Sequence, residues 1–526
     1  MKVLIIGGVA AGTKVAAKLK RENFDCEVTI LTKSKDISYA GCGLPYYVGK
    51  VIQDENQLIV NTPESFSKLT GVKVLTETEV TKVNPEDKTV YALDLKSNES
   101  LKFSYDKLVI ASGAEPIKPA IDGMDLQNVF FMRTPQDAYS LRSAVDAGEI
   151  KRAIVVGGGY IGLEVAENLA VQGVRTVVID MAKHILPGFD DEFSEHVENH
   201  LADQGVVTFT ETKLEAILGD GKVEKIKTNR RAMKADAVIM AVGIKANTAF
   251  LVDSGIELMA NKTVRVNEYF ETNINDIYAV GDCATVTNKL TKAPYWSPMG
   301  STANIAGRIV AKNILGARIS YPGVLGTAVA KLPELNVGRT GVMETDAINM
   351  GIDPVSVVTV VDDKAHYYPG ASSFIVKMIA DKDTKKLIGL QVLGKGAVDK
   401  MVDIAATAIT LGATLEEVSN MDLAYAPPFS TAIHPFSHTV NILLNKIDGA
   451  FETMTPTSFA RGDAESYRIV DVSHNVDLSE FGKEENLLLV CAKGKRAYML
   501  QKRLKHFGYI NTRVLEGGTT FNEVEI

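Results

Sequence analysis

The chain has 526 residues, which at roughly 150 residues per domain gives room for three to four domains and excludes a single small module. Apolar residues make up 46% and charged residues 23%, ordinary globular proportions that exclude wholesale disorder and collagen-like architecture. Lys plus Arg (57) against Asp plus Glu (65) leaves a formal charge of −8, so nothing draws the whole surface to nucleic acid or to anionic lipid. Met1-Lys2 leads straight into the apolar run Val3–Ile6 without a signal-peptide layout, and no stretch of about 18 apolar residues occurs, so a soluble, cytoplasmic protein is expected. The four cysteines, Cys26, Cys42, Cys283 and Cys491, are too few and scattered for a disulfide framework and form no CxxC pair, so no metal site is expected and any cysteine that matters works alone.

In chain order, residues 1–22 predict a buried strand (KVLIIGG), a glycine turn and a helix, the opening of a nucleotide-binding βαβ unit. The pattern returns at 150–172 (IKRAIVVGGGYIGLEVAENLAVQ), so the chain carries two such halves about 150 residues apart. Short strands and turns follow each half: YDKLVIASGAEP at 105–116, ADAVIMAVGIKANT at 235–248 and INDIYAVGDCA at 274–284. From about 322 the texture becomes α+β, with strands SFIVKMIA and LIGLQVLG, one long helix DKMVDIAATAITLG and the Pro-rich loop LAYAPPFSTAIHP. Pro, Thr and Ser in MTPTS (454–458) mark a last boundary before a short, charged tail.

The second glycine turn, Gly157-Gly158-Gly159-Tyr160-Ile161-Gly162, follows a predicted strand and opens a predicted helix, whose free N–H groups and dipole favour a pyrophosphate. Asp180, at the end of VRTVVID, offers a carboxylate to the ribose hydroxyls of NADH and repels the 2′-phosphate of NADPH, although Lys183 nearby still admits NADPH. The first turn, Gly7-Gly8-Val9-Ala10-Ala11-Gly12, puts Val9 at the middle glycine position, and its second strand ends on Thr32 where an acid would hold a ribose. Taken alone, that half fits a cofactor site and plain βαβ packing equally well. The strand ending in Gly281-Asp282 tips the balance, because it places a carboxylate at a turn suited to a polyhydroxyl chain such as flavin ribityl.

GGVAAG, SYAGCGLPYYVG (38–49), ASGAEP, GGGYIGLE, AVGDCA and DLAYAPPFS, in this order, resemble the single-cysteine branch of the pyridine nucleotide-disulfide oxidoreductases, specifically the coenzyme A disulfide reductase and NADH-dependent persulfide reductase group. The resemblance covers about residues 1–445 and implies FAD, NAD(P)H and a homodimer. It implies a FAD-binding domain from 1–114 and 245–321, a NAD-binding domain at 115–244 and a dimerisation domain at 322–448. Cofactor contacts are expected at Gly7, Gly12, Thr32, Ser112, Gly113, Gly243 and Asp282, together with Gly157, Gly159, Gly162 and Asp180. Overall the fold class is α/β: two Rossmann-like domains, the α+β dimerisation domain, and a small α/β tail.

Cys42 stands between Gly41 and Gly43, which permit close backbone approach, and a short helix starting just after it is expected to lower the thiol pKa toward thiolate. Gly41 departs from the group, which often has Asn there. Without a second cysteine beside it, Cys42 needs an external partner, and the resemblance implies that it rests as a mixed disulfide, a persulfide or a sulfenic acid. Ala10 and Ala11 stand where peroxidases and oxidases of the neighbouring branch carry a histidine, which argues against peroxide or oxygen as the main acceptor. Tyr367 and Tyr425 match the tyrosine pair that the group brings in from a partner subunit, where a phenol protonates a leaving thiolate; the plain alternative is interface packing. Lys14, Lys18 and Arg21 share one face of the first helix, and Lys18, Arg21 and Ser38 are the expected contacts for coenzyme A, with a solvated amphipathic face as the alternative. Cys26 and Cys283 read as core residues, and His366 and His434 receive no role.

The tail, 456–526, resembles a rhodanese domain: strand NLLLV runs into Cys491-Ala492-Lys493-Gly494-Lys495-Arg496, where a CxxGxR-like loop would wrap amides around a cysteine persulfide. It is short, because the stretch between Asp471 and Leu487 lacks the usual glycine-rich loop and strand, so sulfur transfer at Cys491 and a degenerate docking module both stay open. The sequence therefore predicts a flavoprotein in which NADH reduces FAD, FAD reduces Cys42, and Cys42 reduces a coenzyme A disulfide, a coenzyme A persulfide or a polysulfide. Its rivals are an NADH oxidase and a sulfurtransferase or binding protein with a regulatory flavin module.

Overall fold

The computed structural model describes residues 1–525, which divide into two compact units: Met1–Ile185 with Gly205–Val324, and Leu186–Gln204 with Leu325 onward.

In the first unit, strand Lys2–Ile6 lies between Glu27–Leu31 and Lys107–Ile110 in a five-stranded sheet completed by Lys73–Leu75 and Ile277–Ala279. All four of its neighbour pairings are parallel, and Val3 to Ile6 are buried, as expected for a sheet covered on both faces. Helix Ala10–Glu22 returns across this sheet and packs on helix Gly300–Ile314, where small residues permit close contact: a Cβ on Gly307 would stand 3.0 Å from the Ala11 carbonyl oxygen. The second half repeats the design, with Arg152–Val156 between Arg175–Ile179 and Ala237–Met240 and the helix Tyr160–Val171 behind the turn. The turns are fixed by packing of backbone on backbone: Gly7 (φ +108°) and Gly157 (φ +115°) back onto the carbonyls of Ala111 and Ala241, where no side chain fits.

The second unit is built on an antiparallel five-stranded sheet in the order Ala328–Leu332, Leu335–Gly341, Leu387–Gly394, Ser373–Asp381, Pro354–Asp362. Every residue of Leu387–Gly394 is buried, and helices Val398–Leu411 and Pro435–Ile447 cover the sheet with Met401, Val402, Phe436 and Leu443. Lys377, on Ser373–Asp381, is 3% exposed yet charged, because Asp190, Glu192 and Glu344 surround its ammonium at 2.9, 2.6 and 2.9 Å. This cluster anchors Leu186–Gln204 within the second unit.

The tail forms a four-stranded parallel sheet in the order Thr453–Met454, Thr512–Leu515, Leu487–Val490, Arg468–Asp471. Its first strand overlaps the start of the Pro-containing punctuation at 454–458, so the sheet begins a few residues upstream of the tail boundary expected at 456. Between Asp471 and Leu487 there is one short 3₁₀ turn, Leu478–Glu480, and no strand. Glu516, 2% exposed, ties the tail to the rest of the unit: it accepts hydrogen bonds from the Val358 amide (2.8 Å), Lys446 Nζ (2.6 Å) and Thr453 Oγ1 (2.6 Å).

Candidate active site

Both glycine turns lead directly into helices. Helices Ala10–Glu22 and Tyr160–Val171 have no side-chain cap and no acidic residue in the first turn. By contrast Thr62, Thr134, Thr414 and Thr455 cap the helices that follow them. Uncapped N-termini behind glycine turns suit an anionic phosphate, which supplies the missing acceptor. Gly157 and Gly162 are required by packing, since a Cβ on either would meet a carbonyl oxygen at 2.2 or 2.0 Å, but Gly159 has open space around it. Its lack of a side chain serves no protein neighbour and leaves room for a ligand. Asp180 sits beside this opening, its two carboxylate oxygens accepting the Gly158 and Ala182 amides at 2.6 and 2.7 Å. The donor set fits a dinucleotide.

In the first half Gly12 packs against the Gly7 carbonyl, Val9 takes the helix-leading position, and Thr32 is buried at the strand end. Ser112 Oγ donates to the Asn247 carbonyl at 2.7 Å, which holds the segment around Gly113 (φ +70°) beside the end of strand Ile244–Ala246, the antiparallel partner of Ala114–Pro116. Gly243 (φ +109°) turns the chain just ahead of that strand. Asp282 follows Gly281 (φ +83°) and pairs with Arg133 at 2.8 Å, while its carbonyl accepts from Trp296 Nε1 at 2.9 Å. Arg133 also donates to the Ala114 carbonyl at 3.0 Å. Sequence reasoning gave Arg133 no role, and nothing in FMRTPQDA signals one.

Cys42 lies in the turn Gly41–Gly43, just before the short helix Leu44–Val48, and its thiol is exposed and free. A Cβ on Gly41 would touch nothing within 4 Å. The expected lowering of the Cys42 pKa by the following helix is corrected here. Although the residue is exposed, the surrounding loop partly desolvates its sulfur; this, then the charges of Glu164 and Asp282, push the thiol up, and Arg133 only partly opposes them. A helix of five residues aligns too few peptide dipoles to outweigh two carboxylates.

Tyr46, one turn after Cys42, places its hydroxyl 3.2 Å from Glu164 Oε1 on Tyr160–Val171. Burial lifts Glu164 to about 7 and, with the Glu164 charge, pushes Tyr46 far above the ordinary phenol range. Both residues lie inside motifs read from the sequence, yet neither was assigned a role, because their pairing spans 118 positions.

Ser38 has φ +48° and accepts from Asn61 Nδ2 at 3.3 Å. Lys18 pairs with Glu22 on its own helix, Lys14 packs its stem against Gly307, and Arg21 is exposed. The structure thus brings Ser38 to the start of the Cys42 loop and commits Lys18 to a local ion pair. Cys283 is fully buried, with its thiol donating to the Ile110 and Val280 carbonyls at 3.4 Å, and Cys26 is 2% exposed, both core residues as expected.

In the second unit, Tyr367 and Tyr425 come together: a side-chain hydrogen bond to Tyr367 raises the Tyr425 pKa, and the two rings are 65% and 49% exposed. His366 stacks edge-on against Tyr367. His434 is a structural residue, since its Nδ1 accepts the Phe436 amide at 3.2 Å at a helix start and burial lowers its pKa to about 4. Cys491 is 4% exposed, in the loop between Leu487–Val490 and helix Lys495–His506. Its carbonyl accepts the Thr519 amide at 3.2 Å, Lys493 pairs with Asp362, and Arg496 donates to the Ser473 carbonyl at 3.0 Å.

Comparison with known proteins agrees with this architecture. Residues 1–300 match the pyridine nucleotide-disulphide oxidoreductases, and residues 327–435 match the dimerisation domain of that family. Among curated proteins, an NADH oxidase of Methanocaldococcus jannaschii is 35% identical over 85% of this chain and 99% of its own length. An NAD(P)H coenzyme A polysulfide/persulfide reductase of Pyrococcus horikoshii is 33% identical over 84% of this chain and 98% of its own. The solved NAD-dependent persulfide reductase from A. fulgidus superposes with a TM-score of 0.94 at 34% identity, covering 99% of this chain and 100% of that one. Among the described residues, no helix is long and apolar enough to cross a membrane.

Proposed function

The chain belongs to the pyridine nucleotide-disulphide oxidoreductases, and from that premise we propose that it is a cytoplasmic, homodimeric NADH-dependent reductase. It delivers electrons through Cys42 to a coenzyme A disulfide, a coenzyme A persulfide or a polysulfide. FAD is the flavin of this family, and when bound it supplies the two-electron relay between nicotinamide and sulfur. Gly7, Gly12, Thr32, Ser112, Gly113, Gly243 and Asp282 would hold the flavin nucleotide, with Arg133 keeping the Asp282 carboxylate oriented. Gly157, Gly159, Gly162 and Asp180 would hold NADH, and the Asp180 charge disfavours the extra phosphate of NADPH.

The observation that carries the reading is Cys42 itself: an exposed thiol beside an open glycine, in a chain whose other three cysteines are buried. Cys42 thiolate attacks one sulfur of the acceptor, a new S–S bond forms, and the old one breaks to release a thiolate or hydrosulfide. Tyr367 and Tyr425 of the second copy would protonate that leaving group. Lys18, Arg21 and Ser38 would meet coenzyme A, Lys18 by exchanging its local Glu22 partner for phosphate. Each turnover on a disulfide consumes one NADH and one proton and yields two thiols. The tail is assigned a rhodanese-like role in which Cys491 accepts or donates sulfane sulfur, and the four-stranded parallel sheet whose strand Leu487–Val490 leads into that cysteine supports it.

Anaerobic NADH consumption with coenzyme A disulfide, coenzyme A persulfide and polysulfide tests this. Cys42→Ser should slow turnover by more than about 10³-fold, and Cys491→Ser should leave reduction of the disulfide at the wild-type rate. Turnover that survives Cys42→Ser refutes the thiol mechanism. The kinship with an NADH oxidase favours oxygen as the rival acceptor, and oxygen uptake that tracks NADH loss, with no anaerobic turnover, would select it.

A further inference from the structure

Reduction through a single thiol needs a place to keep a proton, because Cys42 must ionise to attack and every disulfide turnover ends with two protonated sulfurs. The surroundings of Cys42 contain such a place. Tyr46 stands four residues after Cys42, across the Gly41–Gly43 turn, and its hydroxyl meets Glu164 Oε1 at 3.2 Å. The contact is pinned at a second point: Gln172 Nε2, on the C-cap residue of the helix that carries Glu164, donates to the Gly49 carbonyl at 2.8 Å, just past the helix that carries Tyr46.

We infer that Glu164, held beside the Cys42 turn by the Tyr46 hydroxyl, is the proton-holding partner of Cys42. The proton given up when the thiol ionises stays at the site on Glu164 and returns when a sulfur must be protonated. The O–H bond formed at Glu164 balances the S–H bond broken at Cys42, so the pair carries one proton and one negative charge throughout. The inference rests on the reading of Cys42 as the redox thiol.

Electrostatics favours this sharing over independent ionisation. Two anions in one partly buried site oppose each other, so ionising either group makes the other hold its proton more tightly. Glu164 holds its proton up to about 7, and its carboxylate in turn raises Cys42. Tyr46 stays protonated and so always has a hydrogen to donate. The other charged groups are accounted for. Asp282 also raises Cys42 but is paired with Arg133 at 2.8 Å, and Glu167 acts on both Tyr46 and Glu164. From the helix Pro135–Asp146, Arg142 is held over the Tyr47 ring and against the carbonyls of Tyr47, Ile52 and Gln53, and also faces Asp146. That leaves Glu164 as the carboxyl in hydrogen-bond contact with the Cys42 segment.

The test is the pH dependence of Cys42 alkylation by iodoacetamide in the FAD-loaded protein, read by mass spectrometry of the Cys42 peptide. Wild type should show two inflections that belong to the pair. Glu164→Gln, which keeps the size and the hydrogen bond, should show one inflection at lower pH, with alkylation at pH 8 at least about threefold faster, the effect of a half-unit shift. Tyr46→Phe should raise the lower inflection, because the carboxylate loses the hydrogen bond that stabilises its charge. A Glu164→Gln profile that superposes on wild type overturns the proposal, as does a lower inflection unmoved by Tyr46→Phe. Alkylation needs no turnover, so these outcomes stand apart from the failure of the reductase reading, which shows as activity without Cys42.

Discussion

Cys42 and Cys491 both sit in glycine-bearing loops just ahead of a helix, yet their surroundings are opposite. Around Cys42 the loop is open: the thiol is exposed, and a Cβ on Gly41 would meet nothing within 4 Å. Around Cys491 the chain has filled the space itself. The residue is 4% exposed, and a Cβ on Gly518 would stand 2.0 Å from the Cys491 carbonyl oxygen and 2.6 Å from that of Ala492. The charges differ in sign as well, with Glu164 and Asp282 acting on Cys42 while Lys493 and Arg496, near Cys491, are spent on Asp362 and Ser473. The same residue type in similar local sequence is therefore no guide to reactivity; what decides is whether the neighbouring glycine makes room for the protein or for something else.

Closing the tail loop further gives the largest effect. Gly518 has φ +53° and no space for a side chain, so Gly518→Ala adds left-handed backbone strain to a clash with two carbonyls, a cost of about 4 kcal/mol. The expected result is a lower unfolding midpoint of the second unit and rapid alkylation of Cys491, with Cys42 alkylation unchanged. A second unit that melts as in wild type would mean that the packing around Cys491 is looser than its burial indicates.

The next effect is electrostatic and belongs to Cys42 alone. Burial raises Glu164 from 4.5 to about 7, so the folded state holds this proton more tightly than the unfolded chain. Stability is therefore full below about pH 4.5 and declines as pH rises to about 7, a loss of up to ~3 kcal/mol. Glu164→Gln removes that slope, so the variant should gain on wild type between pH 5 and pH 8 in urea unfolding of the first unit. Equal pH slopes for the two proteins would place the Glu164 carboxyl in a wetter environment.

Much of this contrast lies within reach of local pattern. The two glycine turns, their strands and helices, the Asp180 carboxylate and the Cys42 loop all come from short-range rules: a buried run, a turn that only glycine can make, a helix beginning behind it. The missing strand between Asp471 and Leu487 is visible in the same way. What the sequence hides is every pairing made by folding at a distance. Tyr46 and Glu164 are 118 residues apart, Arg133 and Asp282 149, and neither pair has a periodicity to announce it. Glu516 looks like a solvated tail acid, yet it is buried under Lys446, Thr453 and the Val358 amide. Leu186–Gln204 reads as a continuation of the second βαβ half, but the charges of Asp190 and Glu192 find Lys377 and fix it in the second unit. The helix effect expected at Cys42 fails for the same reason, since the dipole is local and legible whereas the desolvation of the sulfur, and after it the opposing carboxylates Glu164 and Asp282, come with folding at a distance.

The smallest effect on stability is the most telling about the open loop. Gly41 has no positive φ and no neighbour within 4 Å of a Cβ, so Gly41→Ala should change unfolding stability by less than ~0.5 kcal/mol. The backbone does not need this glycine. If its role is to let an acceptor's sulfur pass over the loop to Cys42, the added methyl group should appear as a higher KM for the disulfide, while the rate of Cys42 alkylation by the much smaller iodoacetamide stays at the wild-type value. Stability, small-probe reactivity and KM thus separate what the loop does for the fold from what it does for a visiting molecule. A variant unchanged in all three would mean that the acceptor does not pass over Gly41, and Gly43, where a Cβ would meet Leu58 and Ile52 at 3.1 and 3.2 Å, offers it no such opening.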